Sequence, residues 1–446
     1  MRSTASMLCV VCVAGSLLVG SRAQVCPNGV TPCSGCQCCP GGCPCPNQSG
    51  CPQDLCPKPA AACGTTTTTS PTTTTRLTTG TTTAHSNLTT RTTSGPTPGH
   101  SSTTTVSPGQ LLLDEEFNTL DFNTWKHELT LGGGGNWEFE YYLNNRTVSY
   151  VKDGVLYIKP GLTADFIGIN GEALVHSGYE LDIWGSTPAD LCTGNMFYGC
   201  KRRSGDGGNY LNPITSARLR TREHFTFRYG RVEVRAKLPR GDWLWPAIWM
   251  LPKDNEYGNW PASGEIDICE SRGNLNYPLA SGGGLETIGS TLHFGPAWNA
   301  DHYQKTHVLK SLSSGTFNDD FHVFGCVWAP DKIYTYLDTD DNRVLEVPTG
   351  DGFWALGGFP QPYANPWQYS PNKNAPFDKE FYLILNVAVG GTGGYFPDGV
   401  AGKPWSDASQ HAVNEFYDAK AQWYQTWDPT GDGSAMQVDS VKVWAL

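Results

Sequence analysis

The segment Gly264-Glu265-Ile266-Asp267-Ile268-Cys269-Glu270-Ser271 gathers three carboxylates on a short stretch of chain. In a strand, alternate side chains share a face, so Glu265 and Asp267 point one way while Ile266 and Ile268 point into a core. Glu270 falls on the wrong face of a regular strand. A β-bulge after Asp267 adds one residue and returns Glu270 to the other two carboxylates. Their mutual repulsion raises the proton affinity of at least one, which sets an acid beside a base near neutral pH. Glycosidic-bond cleavage needs such a pair: a carboxylate nucleophile or base, and a carboxylic acid that protonates the departing oxygen. The spacing suits the roughly 5 Å carboxyl separation of a retaining enzyme. It is equally compatible with a strand that presents acidic residues to solvent.

The surrounding segments read as strands. In Gly230 to Leu238, Val232, Val234, Ala236 and Leu238 alternate with Arg231, Glu233, Arg235 and Lys237, the pattern of a half-buried strand. Phe321 to Trp328 and Ile333 to Asp338 flank a turn at Ala329-Pro330-Asp331-Lys332, and Phe381 to Val389 and Val438 to Trp444 are further strands. One short helix is expected within Asp418 to Trp427. Many strands punctuated by Gly and Pro, without alternating helices, predict an all-β antiparallel sandwich whose long loops wall a cleft. Cys192 and Cys200 are expected to close one loop as a disulfide, and Cys269 and Cys326 to be buried thiols in strands.

Composition divides the chain. Residues 1–23 read as a secretory signal peptide, with an apolar run from Met7 to Gly20 and cleavage after Ala23, so an extracellular product is expected. Residues 24–63 hold ten cysteines and predict a small disulfide-rich module; zinc ligation by Cys36 and Cys39 is the competing reading. Residues 64–108, rich in Thr, Ser and Pro, predict a disordered linker resembling an O-glycosylated stalk. Sequons stand at Asn47, Asn87 and Asn145. Every aromatic residue lies within 109–446, which must therefore be the working domain. The net charge of -11 disfavours nucleic acid as a partner, no second apolar run suggests a membrane span, and a monomer is expected.

Trp245-Pro-Ala-Ile-Trp249-Met-Leu-Pro, followed by Gly264-Glu-Ile-Asp-Ile-Cys-Glu-Ser-Arg-Gly-Asn274, resembles the signature of family sixteen glycoside hydrolases, in the laminarinase-like branch. The likeness continues through Asn136 to Tyr150, Tyr229 to Pro239, Thr291 to Pro296, Phe321 to Asp338 and Leu385 to Gly391. It is nearest to invertebrate β-1,3-glucanases and the glucan-recognition proteins related to them.

The resemblance implies a concanavalin A-like β-jelly roll whose concave sheet holds a β-1,3-glucan. Glu265 would be the nucleophile, Asp267 its electrostatic partner and Glu270 the general acid/base of a retaining endo-hydrolase that needs no cofactor. Recognition proteins in this branch that lack the carboxylates bind glucan without cutting it. The resemblance further implies that Trp245, Trp249 and Trp260 line the cleft, with core packing as the alternative for each. By the same resemblance Asn144, Arg146, His293 and Asn386 hydrogen-bond sugar hydroxyls. Glu116, the carbonyl of Gly154 and Asp439 are candidate ligands of a structural calcium. Phe294, where the family often has Trp, and Cys269, where Met is commoner, depart from the pattern.

Overall fold

The computed structural model describes residues 107–185 and 191–446. The expected leader, cysteine-rich module and all but the last two linker residues lie outside the described residues.

Alternation builds two facing antiparallel sheets. In Gly230–Lys237 the buried positions are Val232, Val234 and Ala236, and this strand is central in an eight-stranded outer sheet. Next to it lie His322–Trp328 on one side and Met436–Trp444 on the other. The second sheet is formed by β1 (Lys126–His127), β2 (Arg218–Arg220), β3 (Leu244–Pro252), β4 (Glu265–Ser271), β5 (Thr287–His293), β6 (His307–Ser311) and β7 (Phe381–Val389). Its spatial order is β6-β5-β4-β3-β7-β2-β1.

The inner row of this second sheet runs Cys269, Ile248, Leu385, Leu219, each pairing with the next across β4, β3, β7 and β2 and each at most 1% exposed. Burying such a side chain contributes about 1.5–3 kcal/mol, so the row fixes register: a one-residue slip would expose all four. The sheets also meet through polar groups, Thr335 of the outer sheet donating to Ser290 of β5, which itself donates to the Ile268 carbonyl. The opposite, outer row of β4, β3, β7 and β2 is therefore free to form a working face.

Smaller elements decorate this frame. Glu140–Tyr142, Ile214–Ser216 and Gly161–Leu162 form a three-stranded sheet, and Glu180–Asp182 pairs with Lys201–Arg203. The Cys192–Cys200 disulfide is present, and Cys269 and Cys326 are buried free thiols, as expected. The C-terminal helical segment differs from expectation. It begins earlier, at Ala412–Asp418, and resumes at Lys420–Trp423, because Ala412, Phe416 and Trp423 supply a helical apolar stripe that anchors it from the start.

Candidate active site

The bulge expected in β4 is there. Asp267 pairs with Thr291 of β5 and Glu270 with Gly289, so three steps along β4 match two along its neighbour. On the other side Asp267 faces Trp249 and Cys269 faces Ile248, leaving Ile268 as the extra residue. Ile266, Ile268 and Cys269 are buried, while Glu265, Asp267 and Glu270 share the outer row.

Each carboxylate is held. Trp245 Nε1 donates to Glu270 Oε1 at 2.8 Å, and Trp260 Nε1 donates to Glu265 Oε2 at 2.9 Å. His293 Nε2 lies 3.2 Å from Asp267 Oδ2 and 3.9 Å from Glu265 Oε1, with Nδ1 2.6 Å from Asp301 Oδ2. Burial opposes charge on His293, yet the adjacent Asp267 carboxylate, the hydrogen bond to Asp301 and the Glu265 charge outweigh this, so its pKa stands well above the ordinary histidine value. Burial, and then the charge of Asp267, push Glu265 up to about 8 and Glu270 up to about 7, with the His293 charge opposing both. These groups titrate as one set. At mildly acidic to neutral pH the set keeps a proton that exposed carboxylates would have lost, which is the condition for acid catalysis beside a carboxylate.

Oxygen and nitrogen atoms of Glu265, Asp267 and His293 lie within 4.8 Å of one another, close enough to hold a metal ion. A metal requires neutral imidazole. Here both ring nitrogens already face carboxylates, Nδ1 that of Asp301 and Nε2 that of Asp267, so the trio is arranged as an ion-pair network.

Of the residues implied by resemblance, Trp245, Trp249, Trp260, His293 and Asn386 come together around the carboxylates. Trp249 Nε1 donates to Asn386 Oδ1 at 2.7 Å, and Asn386 Nδ2 donates to Tyr142 Oη at 3.1 Å. Trp260 is 41% exposed and can offer a ring face. Trp245 cannot offer both faces, because its ring stacks on Tyr395 at 3.8 Å with an interplanar angle of 2° and is 9% exposed; its polar edge serves Glu270.

Asn144 and Arg146 are not brought to the carboxylates. Arg146 hydrogen-bonds Asn144 and faces His127 Nε2 at 3.5 Å and the Phe122 ring at 5.5 Å. His127 belongs to β1, four strands from β4, or roughly 19 Å at the usual strand spacing. It pairs with core-facing Leu219, so this cluster sits at the sheet's far edge on its inner side. Phe294 is fully buried among Phe353, Phe359 and Trp367, which makes it a core residue.

The two acidic side chains among the candidate calcium ligands are engaged by cations. The Glu116 carboxylate pairs with Lys442 at 2.5 Å and Asp439 with Arg235 at 2.9 Å, so both acidic ligands are already neutralised. Gly154 lies near the Glu116 carbonyl, which alone makes no site.

Several working residues escaped the sequence reading. Asp301 and Tyr395 come from loops, and Arg272 sets its guanidinium 4.0 Å above the Tyr395 ring. Arg218 lies 4.5 Å above Trp249 and 3.1 Å from Glu128. Glu138 and Glu140 are buried, each with one oxygen lacking a protein partner. Burial pushes Glu138 up to about 7, and burial with the Glu138 charge raises Glu140 well above the carboxylate range. The alternation Glu138-Phe-Glu140-Tyr-Tyr142 was the signal that could have found them.

The model of glycosyl hydrolases family 16 matches residues 209–366. A "Beta-1,3-glucan-binding protein" of Penaeus monodon is 50% identical over 75% of this chain and 90% of its own length. One of Tenebrio molitor with the same name is 34% identical over 76% of this chain and 66% of its own length. "Glucan endo-1,3-beta-glucosidase A1" of Niallia circulans is 34% identical over 65% of this chain and 35% of its own length. Among solved structures, the laminarinase from Rhodothermus marinus aligns at 25% identity over 76% of this chain and 97% of that one, with a TM-score of 0.45. The chain belongs to glycosyl hydrolases family 16, among invertebrate relatives named for binding β-1,3-glucan.

Proposed function

We propose that the protein is a secreted, retaining endo-β-1,3-glucanase. The glucan lies across the outer row of β4, β3 and β7. Glu265 attacks the anomeric carbon while Glu270 gives its proton to the departing glycosidic oxygen, forming a glycosyl-enzyme ester. Glu270, now a carboxylate, takes a proton from water, which attacks the same carbon and releases Glu265. Asp267 and the His293 cation fix the field around Glu265.

The observation that carries this reading is the bulge that puts both glutamates on one face in a setting that retains a proton. Secretion rests on residues 1–23 of the sequence alone. A second reading, glucan recognition without cleavage, is supported by the names of the Penaeus and Tenebrio relatives. Incubation with laminarin, lichenan and curdlan separates them. New reducing ends from laminarin and curdlan support hydrolysis, whereas saturable binding with no new ends supports recognition alone.

A further inference from the structure

Outside the outer row of the second sheet lies a group of exposed rings that catalysis does not use. Trp137 is 48% exposed and Tyr198 75%, and the half-buried Phe197 sets its ring 4.9 Å from Trp137. All three have backbone angles that bulky residues rarely adopt, with φ of 54° at Trp137, 54° at Phe197 and 60° at Tyr198. Such conformations persist only where the surroundings enforce them, and they gather at ligand-binding sites.

The surroundings do enforce them. Phe197 and Tyr198 lie inside the Cys192–Cys200 disulfide loop. Leu131 N donates to the Gly199 carbonyl at 2.8 Å, Thr130 Oγ1 to the Gly194 carbonyl at 3.0 Å, and Arg202 Nη2 to the Phe197 carbonyl at 2.9 Å. A side chain at Gly132 would meet the Met196 carbonyl at 2.7 Å, so the loop is pressed onto the segment that leads to Trp137.

The shelf also joins the proposed cleft. Trp137 leads into the strand Glu140–Tyr142. Tyr142, on that strand, hydrogen-bonds Asn386 on β7. From β4 the path therefore runs through Trp249 and Asn386 toward the shelf. Its rings, with exposed Met196 beside them, carry no charge, which suits a neutral polymer with apolar C–H faces better than a peptide or an anion.

We propose that Trp137, Phe197 and Tyr198 form a distal carbohydrate-binding shelf that stacks on pyranose rings of the same β-glucan chain beyond the reacting bond. This rests on the reading that glucan occupies the outer row of β4, β3 and β7. The test is calorimetric binding of a laminari-trisaccharide and a laminari-octasaccharide to full-length Glu265→Gln protein, alone and with Trp137→Ala, Tyr198→Ala or Tyr198→Phe added. Removing either ring should weaken octasaccharide binding about tenfold and leave trisaccharide binding unchanged, while Tyr198→Phe, which keeps the ring, restores it. Tyr198 is the more exposed of the two, so its variant tests the shelf if Trp137→Ala fails to fold. Unchanged octasaccharide binding, or an equal loss for both lengths, would overturn the shelf alone. Failure of the Glu265→Gln parent to bind either sugar would overturn the glucan reading and the shelf with it.

Discussion

The indole N–H of Trp245 donates to Glu270 Oε1 at 2.8 Å. The same ring lies flat on Tyr395, which in turn carries the Arg272 guanidinium. A donor to a carboxylate stabilises its charged form, so this stack restrains the rise in the Glu270 pKa that burial causes. Trp245→Phe should slow laminarin hydrolysis by about 10- to 100-fold and move the alkaline limb of the rate profile to higher pH. Tyr395→Leu, one contact further out, should move that limb the same way by less. An unmoved limb in both variants would mean the stack only packs.

His293 acts with the same sign on the other glutamate. Its cation lies 3.9 Å from Glu265 and opposes the rise of that carboxyl caused by burial and Asp267. Without it, Glu265 ionises later as pH rises. The acid limb of kcat/KM should therefore shift upward by roughly one pH unit in His293→Gln. A downward shift would contradict the arrangement of charges.

Parity within β4 can be tested by changing its length. Glu265 and Glu270 are five positions apart, an odd number, and the extra residue Ile268 makes them share a face. Deleting both Ile268 and Cys269 makes the separation three, odd and without an extra residue, which should turn Glu270 toward the core and abolish hydrolysis. Deleting Ile268 should restore plain alternation and leave Glu270 on the working face, with measurable residual rate. Equal activity of the two variants would sink the bulge argument.

The buried Glu138 gives a stability prediction. Burial raises its pKa from 4.5 to about 7 in the fold. A carboxyl raised in this way stabilises the fold fully below its unfolded value, and that contribution is lost as pH rises through the folded one. Tm should fall between pH 5 and pH 8, and Glu138→Gln should flatten the fall, gaining on the order of 2 kcal/mol at pH 8. An unchanged slope of Tm against pH would refute it.

How much of this was legible in the sequence follows from how local each feature is. The alternation in Gly230–Lys237, the bulge in Glu265–Ser271 and the Cys192–Cys200 closure are set by neighbouring residues, and all were readable. Asp301, Tyr395 and Arg218 reach the site because distant segments fold onto it, and no spacing announces that. Arg146 shows the converse. Resemblance implied a cleft position, but its strand neighbours carry it to His127 at the sheet's far edge. The two acidic calcium candidates pair with Lys442 and Arg235, contacts between segments far apart in the chain that no local spacing announces.

In the proposed reaction Glu265 and Glu270 perform the chemistry on a glucan that the outer row of the second sheet only holds. The most direct measurement is the initial rate of reducing-end release from laminarin by the wild type, Glu265→Gln and Glu270→Gln, with laminarin binding measured in parallel. Release should be rapid in the wild type, fall about 10³-fold or more in Glu265→Gln and about 10²- to 10⁴-fold in Glu270→Gln, with binding retained in both variants. A wild-type rate no greater than that of either variant, with binding intact in all three, would contradict this assignment.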